Sequence, residues 1–218
     1  IAEQQSLEDL GVFKNPTRDI MKFIRDKAPL KYWQADIVSM LYDEAVYFHP
    51  QRITKILNEG HASLVDYEIM ARQGLISLGQ KTDDAEIINY AIHKMGVLGG
   101  KYSMNPYKLG FYLLLDIEER WNKGRFGDAY EKCKDYKIKE SWDTKANLGK
   151  EKILEVRKLY NDFNFINEFF TEEFCRKNEF FLWKKDYSGQ YVIETKDHKK
   201  VKTKLLESKI NGGLPEIV

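Results

Sequence analysis

Apolar residues that recur every three or four positions, punctuated by prolines and glycines, commit the first half of this chain to helices. Ile20, Met21, Phe23 and Ile24 follow Thr17, a good helix cap, and Pro29 closes that helix because the residue before a proline avoids the helical region. From Lys31 to Phe48, Trp33, Ile37, Met40, Leu41 and Phe48 share one helical face, and Pro50 is expected to end it. A third stretch, about Arg52 to Arg72, carries Ile53, Ile56, Leu57, Leu64, Val65, Ile69 and Met70 around most of its circumference, as a central, buried helix does. Asp83 and Asp84 start a fourth helix that Gly99-Gly100 stop, and Asn105-Pro106 starts a fifth through Leu109, Leu113, Ile117 and Trp121.

The pattern then changes. Residues 123–149 are rich in Lys, Asp and Gly with weak periodicity, which marks a linker or surface excursion between a helical domain (1–122) and a small α+β module (150–218). In that module Asp162 to Phe170 reads as a helix and Thr171 opens another. Phe180-Phe181-Leu182-Trp183 and Tyr191-Val192-Ile193 read as strands joined by the turn Asp186-Tyr187-Ser188-Gly189. A last helix from about Lys196 to Ile210 is capped by Asn211-Gly212-Gly213, and Leu214 to Val218 starts a strand. The fold class is therefore mainly α: a helical domain followed by a β-hairpin, a helix and a strand.

With 218 residues and 43% hydrophobic content the chain can bury a substantial core. Its 35 basic residues meet 34 acidic ones, a formal charge of +1, so neither nucleic acid nor an anionic membrane surface is an expected partner. The lysines at 196, 199, 200, 202 and 204 read as a solvated helix face. Cys133 and Cys175 form no metal or disulfide spacing, which fits a reducing cytoplasm, and no apolar run is long enough for membrane insertion. Without GxSxG, Walker or GxGxxG motifs, serine-hydrolase chemistry and nucleotide binding lack support. The first residue, Ile1, and the strand-like end Pro215-Glu216-Ile217-Val218 suggest a chain cropped at both ends.

Projected at about 100° per residue, three helices place carboxylates among apolar neighbours. Glu44 falls in the arc of Trp33, Ile37, Met40, Leu41 and Phe48; Glu59, Ser63 and Asp66 form a stripe flanked by Ile56 and Met70; Asp116 lies between Leu109, Tyr112, Leu113 and Ile117. A buried carboxylate must be protonated, paired with a cation, or bound to a metal. Arg52 or Lys55 can neutralise Glu59, and Arg120 stands one turn from Asp116, so ion pairing explains two of the sites. Taken together, inward carboxylates from several helices are also how divalent-metal sites are built, with Glu44, Glu59, Asp66 and Asp116 as ligands and Glu59 as a candidate general base. Histidines at ligand spacing are lacking: His61 is offset from Glu59, and there is neither HExxH nor ExxH.

Several motifs stand in a recognisable order: Trp33-Gln34 with Asp36-Ile37, Tyr47-Phe48 with Pro50-Gln51, Asn58-Glu59-Gly60 with Ala62-Ser63, Asn105-Pro106-Tyr107, Asp116-Ile117-Glu118-Glu119-Arg120, Glu155-Val156-Arg157 and Asn211-Gly212-Gly213. From about Asp19 onward the chain resembles the SpoVR (stage V sporulation protein R) family. The resemblance implies a bacterial cytoplasmic protein linked, in spore formers, to spore cortex formation. It also implies a longer N-terminal portion carrying a histidine motif, and carboxylates at the positions of Glu44, Glu59 and Asp116. His61 stands where the family usually has tryptophan and Asp66 where it often has histidine, so a family metal site would be liganded differently here.

Two functions follow. One is a sporulation- or stress-associated protein acting through protein partners, with the C-terminal module as docking surface. The other is a metal-dependent, hydrolase-like enzyme acting on peptidoglycan or peptide through the inward carboxylates.

Overall fold

The computed structural model describes residues 19–72, 84–100 and 102–207. The chain divides into two compact units, Ile1–Pro50 and Gln51–Val218. Helices dominate both: among the described residues there are eleven α-helices and one two-stranded antiparallel sheet. The mainly α class with a small α+β element near the C-terminus is what the sequence patterning leads one to expect.

The first unit holds α1 (Ile20–Lys27) and most of α2 (Tyr32–Ile53). Asp19 caps α1, its carboxylate accepting from Lys22 N–H at 2.9 Å; the cap expected at Thr17 lies outside the described residues. The Arg25 guanidinium sits over the Tyr42 ring, 4.5 Å from its centroid, and joins the two helices. Pro50 does not end α2, which runs three residues further. A proline inside a helix loses its own N–H donation and brings its ring against the preceding turn, a local cost that does not stop the residues after it from continuing the helix.

In the second unit, α3 (Lys55–Tyr67) is extended by a single π-turn, Glu68–Arg72, and packs against α5 (Pro106–Asn122). They cross at Gly60 and Gly110, so closely that a Cβ on either would overlap the other helix's backbone. Glycine is required there for close approach, not for its dihedral freedom. Between them, α4 (Asp84–Val97) ends where Asn105 begins α5. The Asn105 amide donates to Val97 O and Gly99 O while its oxygen accepts from Tyr107 N–H, so one side chain closes one helix and opens the next.

The stretch after α5 folds back onto it through α6 (Gly127–Lys132) and α7 (Tyr136–Ser141). Thr144 N–H bonds Lys123 O, and Gly149 N–H bonds the Asn122 side chain, pinning both ends of the excursion to the end of α5. Next come α8 (Gly149–Leu159), α9 (Asp162–Phe169) and α10 (Glu172–Lys177). Helix α8, a segment to which the sequence reading gives no element, buries Ile153 and Val156. The hairpin β1 (Leu182–Lys185) and β2 (Tyr191–Thr195) turns at Gly189, whose φ of +82° suits glycine, and α11 (His198–Glu207) follows. The cap at 211–213 and the strand from Leu214 lie outside the described residues. One core cluster joins Leu57, Leu113, Ile117, Phe165, Phe174 and Val201, drawing on residues from both sides of 123–149.

Candidate functional site

Of the four candidate carboxylates, Glu59, Asp66 and Asp116 stand in the second unit, each beside a different base. Glu59 Oε1 is 3.9 Å from Lys55 Nζ, while its Oε2 is buried with no hydrogen-bond partner. Asp66 pairs with Lys94 at 2.9 Å, and the same ammonium donates to Ser63 O at 3.0 Å, tying α4 to α3. Burial, with Asp66 next in importance, pushes the neighbouring Tyr90 hydroxyl up to about 12. Glu44, expected to face a core, is exposed, as are Trp33, Ile37, Met40, Leu41 and Phe48 on the same arc. Periodicity sets which residues share a face; whether that face is covered depends on what packs against it.

Asp116 occupies the most distinctive setting. It lines a cleft of about 600 Å³ together with Tyr67, Tyr112, Glu119, Lys123 and Lys177. Burial pushes its carboxyl up to about 6, against the pull of Arg120 and Lys177. Arg120 Nη1 lies 3.9 Å from Asp116 Oδ2, too far for a hydrogen bond, and both atoms are buried without a partner. Three residues on, Glu119 receives Lys123 at 2.7 Å and Lys177 at 2.9 Å, and these hydrogen bonds hold it down to about 2. Two carboxyls within one helical turn are thereby driven to opposite ends of the carboxylate range.

Two polar residues have distant partners that the sequence reading does not name. Thr54 precedes α3 without a side-chain cap, and the buried carboxylate of Asp162 takes its place, accepting from Ile56 N–H and Leu57 N–H at 3.0 Å each. His61 contacts the Arg157 guanidinium through Nδ1, and burial followed by that positive charge lowers its pKa. A neutral imidazole accepting from Arg157 is a positioned structural group. Nothing local in the sequence reveals either partner. Among the described residues, no three of His, Cys, Asp and Glu converge as a metal would require, and no helix is long and apolar enough to cross a membrane.

A family model described as SpoVR like protein matches residues 2–214. The chain belongs to the SpoVR family. Among its relatives is YcgB of Escherichia coli (strain K12), described as an uncharacterized protein, 25% identical over 186 residues. That alignment covers 81% of this chain and 34% of YcgB, so the chain spans about a third of its relative's length. No solved structure matches it. In this SpoVR chain the family-like motif Asp116-Ile117-Glu118-Glu119-Arg120 supplies one wall of the cleft, and Asn58-Glu59-Gly60 supplies the helix crossing.

Proposed function

We propose that this SpoVR chain belongs to a cytoplasmic protein that acts through protein partners, in spore cortex formation in spore formers or in a stress response. The observation supporting the reading is that Glu59, Asp66 and Asp116 each stand beside a separate base, Lys55, Lys94 and Arg120, at 3.9, 2.9 and 3.9 Å, so each carboxylate has its own counter-charge, close at Asp66 and looser at the other two, without any shared chemistry. The test is to replace the parent gene in a spore former with its Glu59→Gln form, alongside elemental analysis of both purified proteins. Normal cortex and no stoichiometric metal in either protein is the expected result. Loss of cortex together with loss of a bound metal overturns it.

A second reading keeps one specific observation in its favour. Glu59 Oε2 and Asp116 Oδ2 are both buried without hydrogen-bond partners, a condition that a divalent metal or a substrate proton relieves. Under it the protein is a metal-dependent, hydrolase-like enzyme acting on peptidoglycan or peptide, in which Glu59 or Asp116 supplies one ligand or the general base and the other ligands come from elsewhere in the longer parent protein. The same elemental analysis separates the two readings.

A further inference from the structure

The cleft over Asp116 offers a mixed set of groups. Asp116, Glu118 and Glu119 line it beside Lys123 and Lys177 and the amides of Asn122 and Asn178, so hydrogen-bond donors and acceptors are mixed on its walls. Both lysines are already paired with Glu119, which leaves no uncompensated positive charge for a phosphate, and among the described residues no three ligands converge for a metal ion. What it offers is hydrogen bonding in both directions. Lys123 and Lys177 each give one N–H to Glu119, and an ammonium carries three. The carboxylate of Asp116 and the guanidinium of Arg120 are held 3.9 Å apart, one acceptor and one donor, each with a buried atom left unbonded. Arg120 stands behind Asp116 and outside the cleft lining, so a ligand hydroxyl there would give to the Asp116 carboxylate and take from the ammonium groups of Lys123 and Lys177. The terminal torsion of an aspartate is broad, so Asp116 can turn one oxygen toward a ligand while the other meets Arg120.

Shape and walls narrow the class further. The volume of about 600 Å³ falls within the range of small-molecule sites, and Tyr67 and Tyr112 contribute apolar ring surface beside the polar groups. The lining residues all lie on α3, α5 and α10 or at their ends, where main-chain groups are spent within helices. A peptide is commonly held by a strand edge, and no strand borders this cleft. We infer that the cleft is a binding site for a neutral, hydroxyl-rich ligand of the oligosaccharide class, with Asp116, Lys123 and Lys177 as its hydrogen-bonding groups and Tyr112 as an apolar platform. The inference rests on this cleft alone and holds under either functional reading.

The experiment is a nuclear magnetic resonance titration of the 218-residue chain with chitotriose, cellotriose and maltotriose, and with N-acetyl-trialanine amide as a neutral peptide. The expected result is saturable binding of at least one sugar, with shifts at Tyr112, Asp116 and Lys177. Asp116→Ala should weaken it about tenfold or more, and Lys123→Gln, at the rim, should weaken it less while leaving circular dichroism unchanged. The second variant decides the matter if the first does not fold. Failure of all three sugars to saturate by about 10 mM, binding of the peptide alone, or sugar binding that neither variant weakens overturns the assignment.

Discussion

The two units treat their apolar residues in opposite ways. Helices α1 and α2 carry no buried residue, although Phe23, Trp33, Met40 and Tyr47 are all large and apolar. Helix α5 buries Leu113, Leu114 and Ile117 completely. Both helices carry apolar residues at three- and four-residue spacings, yet among the described residues only those of α5 are buried, so such spacing alone does not produce a core. In the second unit the difference comes from backbone approach: Gly60 against Gly110 lets α3 and α5 meet closely enough for their neighbours to interlock.

The largest expected effect therefore belongs to that crossing. Gly110→Val puts a branched side chain into the Ile56 carbonyl and the Gly60 backbone, which cannot move without parting the helices. A loss on the order of 4 kcal/mol is expected in denaturant unfolding, with the chain failing to fold in the worst case. A loss below about 1 kcal/mol would break the contrast between the units.

Next in size is Asp162→Ala. It removes two buried charge-assisted bonds from the start of α3 and leaves Ile56 and Leu57 N–H groups without an acceptor. About 2–3 kcal/mol of destabilisation is expected. Asp162→Asn, which retains one acceptor oxygen, should recover part of it.

These two sites also show what sequence discloses. The helices of the first half, those from Asp162 onward and the hairpin with its glycine turn follow from local spacing and turn chemistry, because each is decided within a few residues, whereas α6, α7 and α8 stand where the sequence reading has no helix. Asp162 reaches a helix start 106 residues away, and Asp66 meets Lys94 from the next helix, contacts that no periodicity encodes. Projection placed Asp116 correctly on the half-buried side of its helix, since α5 has a partner. The same projection put Glu44 on an inward face, where the structure leaves it exposed. The site was legible to the extent that the packing was.

A smaller, pH-dependent effect belongs to Asp116. Its folded pKa of about 6 lies above the ordinary 3.8, so the folded state prefers the protonated form. Its contribution is fully present below about pH 4 and is lost as pH rises through 6. Glu119, held at about 2, works the other way, but only as pH falls below its ordinary 4.5. Asp116→Asn should therefore flatten the decline in stability between pH 4 and 6, and gain about 1–2 kcal/mol at pH 7. An unfolding profile across that window, unchanged by the substitution, would show that burial does not control this carboxyl.

The smallest effect is expected where sequence patterning promised a large one. Met40 has the periodic position of a core residue on α2 but is 64% exposed. Met40→Ser should shift unfolding free energy by no more than about 0.5 kcal/mol, whereas Leu113→Ala in α5 should cost about 3–4 kcal/mol. Melting curves recorded at two protein concentrations sharpen the comparison. A cost for Met40→Ser that grows with concentration would mean that copies of the chain cover α2 in solution, and a large, concentration-independent cost would mean that α2 is packed within a single chain. A negligible cost at both concentrations confirms that a core pattern in sequence marks a face ready for burial, and that burial follows only where another element meets it.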